Sequence, residues 1–130
     1  MNPNPPLTPA TTPASGDPWS WHRRTLNALR TRLVREATAH RKEADELLGE
    51  ARDDHDGRTA DDNEIETLLA EAEGELRLLE EVDAALVRLE IGRYGVCEET
   101  GKPIPAERLR ALPWARLTRE AAARQERSPG

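Results

Sequence analysis

Residues 19–52 of this chain read WSWHRRTLNALRTRLVREATAHRKEADELLGEAR, a stretch without proline. Leucine or histidine recurs in it every seven residues, and alanine recurs every seven residues on the adjoining position: Leu26, Leu33, His40 and Leu47, then Ala37, Ala44 and Ala51. Alternating steps of three and four residues are typical of a coiled-coil seam. The pattern predicts one helix of roughly 34 residues, which is about 50 Å long at 1.5 Å per residue.

A second helical run follows between residues 62 and 91. Its apolar side chains also lie three or four residues apart: Ile65, Leu68, Ala72, Leu79, Val82, Leu86 and Leu89. Gly92 is expected to stop this helix, because glycine adopts the left-handed conformation that ends helices. Residues 53–63, DDHDGRTADDN, are turn formers, and Asp61, Asp62 or Asn63 can cap the second helix.

Two long helices joined by a short polar turn are expected to lie antiparallel, since neither can bury its apolar stripe alone. The alternative is one uninterrupted helix in a coiled coil between chains. Gly57 and the surrounding aspartates favour the break. The predicted fold class is therefore all-α, dominated by a long antiparallel helical hairpin over residues 19–91 with its tip near residues 53–63.

The flanking regions differ from the hairpin in composition. Residues 1–18 hold six of the ten prolines and almost no apolar side chain, so we expect a disordered tail there. Residues 92–130 are expected to form a small globular end with a short helix at 106–111 and a last helix at 114–127, for which Thr118 is a candidate cap. Its expected apolar cluster combines Tyr94, Val96, Ile104, Leu109, Leu112 and Trp114 with Trp19 and Trp21.

Charge and composition exclude several classes of protein. A formal net charge of −6 disfavours binding to a polyanion such as duplex DNA. Cys97 is the single cysteine, which excludes an internal disulfide framework. No apolar run is long enough to cross a bilayer, and the N-terminus lacks the pattern of a secretory signal, so the expected compartment is the cytoplasm. Nucleophile triads and phosphate-binding glycine loops are absent, and we predict no enzymatic activity.

Residues 92–105, GRYGVCEETGKPIP, and residues 108–117, RLRALPWARL, resemble the DksA/TraR family of bacterial regulators that bind RNA polymerase. The helical pattern before them and the predicted helix after them match the layout of that family. The proline-rich residues 1–18 lie outside the resemblance. The resemblance implies a helical hairpin joined to a small, zinc-finger-like globular end with a C-terminal helix.

The four cysteine ligands of the family fall without a gap on Cys97, Thr100, Thr118 and Ala121. A structural zinc site needs four nitrogen, sulfur or carboxylate ligands, and neither a threonine hydroxyl nor an alanine methyl replaces a thiolate. His22, His40 and His55 are not spaced to substitute. We therefore predict no zinc and no other cofactor. Cys97 is interpreted as a small buried residue left over from the metal site; the alternative is a redox switch.

The turn between the two helices is the second candidate site. From residue 43 to residue 66 the chain carries eleven acidic residues against two arginines. In DksA-like proteins the hairpin tip enters the secondary channel of RNA polymerase and places an Asp-x-x-Asp-x-Ala pattern near the catalytic centre. Asp53 and Asp56 supply the two aspartates, Arg58 stands where that family has alanine, and counting back from Cys97 favours Asp54 instead. The resemblance thus implies a partner-binding tip of Asp53, Asp54, Asp56, Arg58, Asp61 and Asp62, and a solvated helical turn is the plainer alternative.

The leading hypothesis is a transcription regulator that binds RNA polymerase through its secondary channel. It implies no direct sequence-specific DNA binding, no membrane, a monomer or weak dimer, and the alarmone ppGpp as a candidate ligand. The second hypothesis is a degenerate relative that keeps the coiled coil as an interaction or dimerisation module without polymerase. A nucleic-acid-binding zinc protein is disfavoured by both the net charge and the missing ligands.

Overall fold

The computed structural model describes residues 17–53 and 62–127. Four helices make up most of these residues: α1 (Ser20–Asp53), α2 (Asp62–Glu90), α3 (Ala106–Ala111) and α4 (Arg119–Arg127). In the same ranges the sole extended pairing is an isolated antiparallel bridge between Val96 and Pro103. The predicted all-α fold class is confirmed. None of these four helices is long and apolar enough to span a bilayer.

The start of α1 is fixed by Asp17. Its Oδ1 accepts a hydrogen bond from the backbone N–H of Trp19 at 2.9 Å, and its Oδ2 accepts from Nη2 and Nε of Arg23 at 3.1 and 3.2 Å. A carboxylate at this position also interacts favourably with the positive end of the helix dipole. Residues 1–16, which make up most of the predicted tail, lie outside the described residues.

The end of α2 is set by Gly92, as the sequence predicts. Gly92 has a φ of 75°, in the left-handed region that glycine adopts without strain. The backbone N–H of Arg93 then donates to the carbonyl oxygen of Arg88 at 2.8 Å. This is the Schellman arrangement, in which a turn past the helix satisfies one of its last carbonyls.

Tertiary contacts divide the chain into two compact units. One unit is Leu29–Glu80, and the other combines Met1–Ala28 with Glu81–Gly130. The sequence-based boundaries after residues 18 and 91 divide the chain by composition instead, and they stay a prediction. Each unit has its own buried residues.

In the unit Leu29–Glu80, α1 and α2 pack against each other along the predicted seam. The buried residues are Leu33, Ala37 and Ala44 from α1 and Ile65, Leu68 and Ala72 from α2. Ala44 belongs to one cluster with Ile65 and Leu68. Because a residue late in α1 meets residues early in α2, the two helices run antiparallel. The predicted helical hairpin is confirmed.

The second unit, formed by Met1–Ala28 and Glu81–Gly130, has the larger buried side chains. Those under 10% exposed include Leu26, Val82, Leu89, Tyr94, Cys97, Ile104, Leu109, Leu117 and Ala121. Trp19 packs edge-on against Tyr94, with ring centroids 4.8 Å apart and planes at 71°. The expected contact between Trp19 and Tyr94 is therefore confirmed, and Ile104 and Leu109 are buried as expected.

Two tryptophans are less buried than the sequence suggests. Trp21 is 37% exposed, and the guanidinium of Arg110 lies 4.7 Å from its ring centroid. Trp114 is only partly buried. Arg110 shields one face of the Trp21 ring, so this tryptophan contributes a cation–π contact at the surface and not a core side chain.

Candidate functional site

The stretch from Gly95 to Ile104 forms a tight loop around Cys97. The backbone N–H of Cys97 donates to the carbonyl of Lys102, and that of Ile104 donates to the carbonyl of Gly95, both at 2.8 Å. The backbone N–H of Gly101 closes the turn by donating to the carbonyl of Cys97 at 2.8 Å. We call residues 95–104 the finger loop.

A second strip of backbone, residues 113–118, lies against the finger loop. The N–H of Glu98 donates to the carbonyl of Arg116 at 2.9 Å, and the N–H of Thr118 donates to Sγ of Cys97 at 3.4 Å. Two backbone donors therefore join the two segments, one in each direction. We call residues 113–118 the return strip.

The return strip corrects the predicted start of the last helix. Residues 114–118 are not helical, and α4 begins at Arg119. Oγ1 of Thr118 accepts a hydrogen bond from the N–H of Ala121 at 3.2 Å, which is the geometry of a helix N-cap. Thr118 therefore caps the helix as predicted, but it does so at the first turn and not inside a longer helix.

Two of the other three positions that correspond to metal ligands in the family lie close to the Cys97 thiol. The hydroxyl oxygen of Thr118 lies 3.8 Å from Sγ of Cys97, and the Thr100 hydroxyl is one of the groups that lower the pKa of the same thiol. Ala121, at the fourth position, is fully buried in the first turn of α4. Cys97 is itself only 1% exposed.

The hydrogen bonds around Cys97 change its acidity. Burial is the largest single influence and disfavours the thiolate. It is outweighed by the Thr100 hydroxyl together with backbone N–H groups of Thr118, Thr100 and Glu99, which stabilise the charged sulfur. The net result lowers the pKa of Cys97 from 9.0 to about 7.

The donor set at these positions does not fit zinc. One thiol faces two hydroxyls and a methyl group, whereas a structural zinc site needs four strong ligands. Among the described residues no group of three or more histidine, cysteine, aspartate or glutamate side chains is placed to hold a metal ion. The His22 ring packs against Trp19, Trp21 and Tyr94, His40 lies in the other unit, and His55 lies outside the described residues.

Sequence reasoning missed Arg88, the buried arginine beside the finger loop. Its side chain is 8% exposed and its Nη1 lies 3.5 Å from Oε2 of Glu98. Its Nη2 donates to the carbonyl oxygens of Trp114 at 3.1 Å and Ala115 at 3.4 Å. The sequence contains one indication that Arg88 is buried. Arg88 lies three residues after Ala85 and directly before Leu89, both of which are on the packed face of α2.

The acidic tip is described only at its two ends. Asp53 is the last residue of α1. Asp62 is the first residue of α2 and is exposed. Asp54, Asp56, Arg58 and Asp61, the other predicted tip residues, lie outside the described residues. The proposed role of the tip therefore stays a prediction.

The finger loop, the return strip and α4 coincide with a match to a known family. The family model described as "Prokaryotic dksA/traR C4-type zinc finger" matches residues 92–127. General stress protein 16O of Bacillus subtilis is 40% identical in an alignment 100 residues long that covers 70% of this chain and 60% of that protein. The RNA polymerase-binding transcription factor DksA of Caulobacter vibrioides is 51% identical over 51 residues, which are 39% of this chain and 36% of that protein. The chain thus spans three-fifths or less of the length of these curated relatives.

Two solved structures are also similar. Transcription factor DksA2 from Pseudomonas aeruginosa has 32% sequence identity and a TM-score of 0.48, covering 87% of this chain and 92% of that one. The RNA polymerase binding protein and transcriptional regulator from Chlamydia trachomatis has 23% identity and a TM-score of 0.42, covering 81% of this chain and 91% of that one.

Proposed function

This chain belongs to the DksA/TraR family, and we propose that it is a transcription regulator that binds bacterial RNA polymerase. One observation carries the proposal. The relative from Caulobacter vibrioides, which is named for RNA polymerase binding, is 51% identical to this chain over 51 residues. An identity of that level over a matched segment supports a shared partner as well as a shared fold.

We propose that the hairpin enters the secondary channel of the polymerase and presents its acidic tip near the catalytic centre. The antiparallel packing of α1 and α2 supports this, because it brings the last residue of α1 and the first residue of α2 to one end of the pair. The connection between them carries Asp54, Asp56 and Asp61. Residues 43–66 carry eleven acidic residues against two arginines, and such an excess of carboxylates is attracted to a cationic cavity that holds a catalytic metal ion.

The same proposal covers the partners. We infer that the protein regulates and does not catalyse, that it does not bind DNA sequence-specifically, and that it works in the cytoplasm as a monomer or weak dimer. The net charge of −6 supports the absence of DNA binding, since phosphate contacts require basic surface. ppGpp remains a candidate ligand. We further propose that the finger works without zinc, because only one of its four ligand positions carries a thiol.

The test changes Asp53, Asp54 and Asp56 to asparagine together in the full-length protein. The expected result is near-normal binding to RNA polymerase with loss of the effect on transcription, since asparagine has the size of aspartate and the variant removes three of the five carboxylate charges of the tip. Binding is measured with purified polymerase, and the effect is measured as the lifetime of the open promoter complex.

The matched control changes three exposed glutamates outside the tip, Glu80, Glu90 and Glu120, to glutamine. It removes the same number of negative charges and is expected to keep both binding and regulation. If wild-type protein does not bind polymerase, the proposal fails. If the tip variant regulates as well as wild type does, the role assigned to the tip fails while polymerase binding stands.

A further inference from the structure

A four-cysteine zinc finger is held together because one metal ion joins two loops, each of which supplies two ligands. In this chain the finger loop and the return strip stand in the place of those loops. Something other than four thiolates must join them, since Cys97 is the single cysteine. The contacts of the described residues show which side chain joins the two segments.

Hydrogen bonds and one ion pair join the two segments directly. They include the backbone bond from Glu98 to the carbonyl of Arg116 and the bond from the N–H of Thr118 to Sγ of Cys97. An ion pair between Arg116 and Glu98 at 3.4 Å adds to them, but its side chains are 39% and 46% exposed. Exposed ion pairs contribute little, because solvent screens them.

Arg88 contacts both segments at once from a third element, α2. Its Nη1 pairs with the carboxylate of Glu98 on the finger loop. Its Nη2 donates to the carbonyls of Trp114 and Ala115 on the return strip. The planar guanidinium is suited to this arrangement, since its donors point in fixed directions and its positive charge is permanent.

The Arg88 side chain is buried, so the free energy of its charge depends on the acceptors around it. Arg88 is 7% exposed as a residue, and its Nε has no hydrogen-bond partner among the described residues. A buried guanidinium is unfavourable unless nearby acceptors compensate it. The two carbonyls and the carboxylate are those acceptors, so loss of their geometry would leave a buried charge without partners.

We propose that the guanidinium of Arg88 replaces the metal cross-link of the family, joining the finger loop and the return strip to α2 so that the finger folds without zinc. This inference extends the zinc independence included in the proposed function. It does not depend on polymerase binding. It assigns Arg88 a positioning role that the metal has in four-cysteine fingers.

Two features agree with a finger converted in this way. Thr118 and Ala121 occupy two former ligand positions, and the Thr118 hydroxyl there caps α4 by accepting from the Ala121 N–H. Cys97 keeps the first position and accepts the Thr118 N–H through its sulfur. Thr118, Ala121 and Cys97 therefore take part in the hydrogen bonds at the start of α4. They do not form a set of metal ligands.

The first measurement concerns metal in full-length wild-type protein purified without added zinc. Zinc content is determined by mass spectrometry, and the melting temperature is recorded with and without a strong chelator. We expect no stoichiometric zinc and an unchanged melting temperature. One zinc per chain, or a melting temperature that the chelator lowers, would overturn the inference together with the proposed zinc independence.

The second measurement concerns the cross-link. Arg88→Met keeps most of the side-chain volume and removes the donors from the carbonyls of Trp114 and Ala115, and we expect its melting temperature to fall by at least about 5 °C. Arg116→Met is the matched control, because Arg116 pairs with the same glutamate from an exposed position. The control is expected to stay within about 2 °C of wild type.

Hydrogen exchange separates a cross-link from general packing. In Arg88→Met the backbone amides of Glu98 and Thr118, which join the two segments, should exchange faster, whereas in Arg116→Met they should exchange as in wild type. Glu98→Gln provides the measurement if Arg88→Met does not fold, and its melting temperature should fall more than that of Arg116→Met. The role of Arg88 is overturned if Arg88→Met and Arg116→Met have the same melting temperature and the same amide exchange rates, or if Glu98→Gln and Arg116→Met have the same melting temperature. Zinc independence stands in either case.

Discussion

His40 of α1 is held by Glu75 of α2: Nδ1 of the histidine lies 2.9 Å from Oε1 of the glutamate. The second ring nitrogen, Nε2, lies 3.6 Å from Oε1 of Glu71 on the same helix. The hydrogen bond with Glu75 is the main cause that raises the pKa of His40 above 6.5. Loss of water around the ring opposes this shift, and the charges of Glu75, Glu71 and Glu36 add to it. The seam of the hairpin therefore contains a histidine that is stabilised in its charged form.

This geometry predicts a pH-dependent contribution to stability. Because the folded state holds the proton more tightly than the unfolded state, the contribution of His40 is fully present below the unfolded pKa of about 6.5. It is lost as pH rises through the higher folded-state pKa. The free energy of unfolding of wild type minus that of His40→Gln should therefore be larger at about pH 5.5 than at about pH 8.5.

Urea unfolding of both proteins at the two pH values measures this difference. The subtraction cancels other titrating groups, among them His22, whose pKa is lowered mainly by burial. A difference that stays constant with pH, or that grows towards high pH, would show that the charged form of His40 does not stabilise the hairpin.

Gly95 is expected to tolerate no side chain. Its φ is 84°, and a Cβ placed there would lie 3.1 Å from two ring carbons of Trp19. Gly95→Ala should cost the left-handed strain of about 1–2 kcal/mol, plus about 1–3 kcal/mol for displacing the ring. Chemical denaturation measures the change in the free energy of unfolding.

Gly92→Ala is the control for that prediction. Gly92 has a φ of 75° and nothing within 4 Å of its would-be Cβ, so the variant carries the backbone strain alone. Gly95→Ala should be the more destabilised of the two by at least about 1 kcal/mol. Equal losses would mean that Trp19 does not pack over Gly95 in solution.

The hydroxyl of Tyr94 is expected to stabilise the folded protein through one buried hydrogen bond. It donates to the carbonyl of Pro113 at 2.8 Å, and the side chain is 2% exposed. Tyr94→Phe removes the donor and leaves a buried carbonyl without it, which should destabilise the protein by about 1–3 kcal/mol.

Titration offers a second measurement of the same contact, because Tyr94 is the single tyrosine of the chain. Burial raises its pKa well above 10.0, and the nearby Arg88 charge only partly offsets this. The phenolate absorbance should therefore appear at a higher pH in folded protein than in protein unfolded by urea. Coincident titration curves would contradict the buried position of the ring.

The elements that the sequence predicts well are those decided by local chemistry. The seven-residue recurrence of Leu26, Leu33 and His40 predicts α1 to within one residue at each end. Gly92 ends α2 because glycine adopts the left-handed conformation without strain, which is a local property of the residue. The resemblance of residues 92–105 to the family is likewise carried by glycines and prolines at fixed offsets.

The features that the sequence does not predict depend on contacts distant along the chain. Residues 114–118 have helical composition, yet the carbonyls of Trp114 and Ala115 bond Arg88 and that of Arg116 bonds Glu98. Those acceptors are thereby used in tertiary contacts, and Thr118 caps a shorter helix. The buried role of Arg88 is missed for the same reason, because an arginine in a helix is ordinarily a solvated side chain.

The central claim, that this protein occupies the secondary channel of RNA polymerase, is tested most directly by competition. Fluorescently labelled full-length protein is bound to purified polymerase, and an unlabelled protein known to occupy that channel is titrated in. We predict full displacement of the labelled protein, because two hairpins cannot share one channel. A ternary complex in which both proteins stay bound, or the absence of binding to polymerase, would contradict the account.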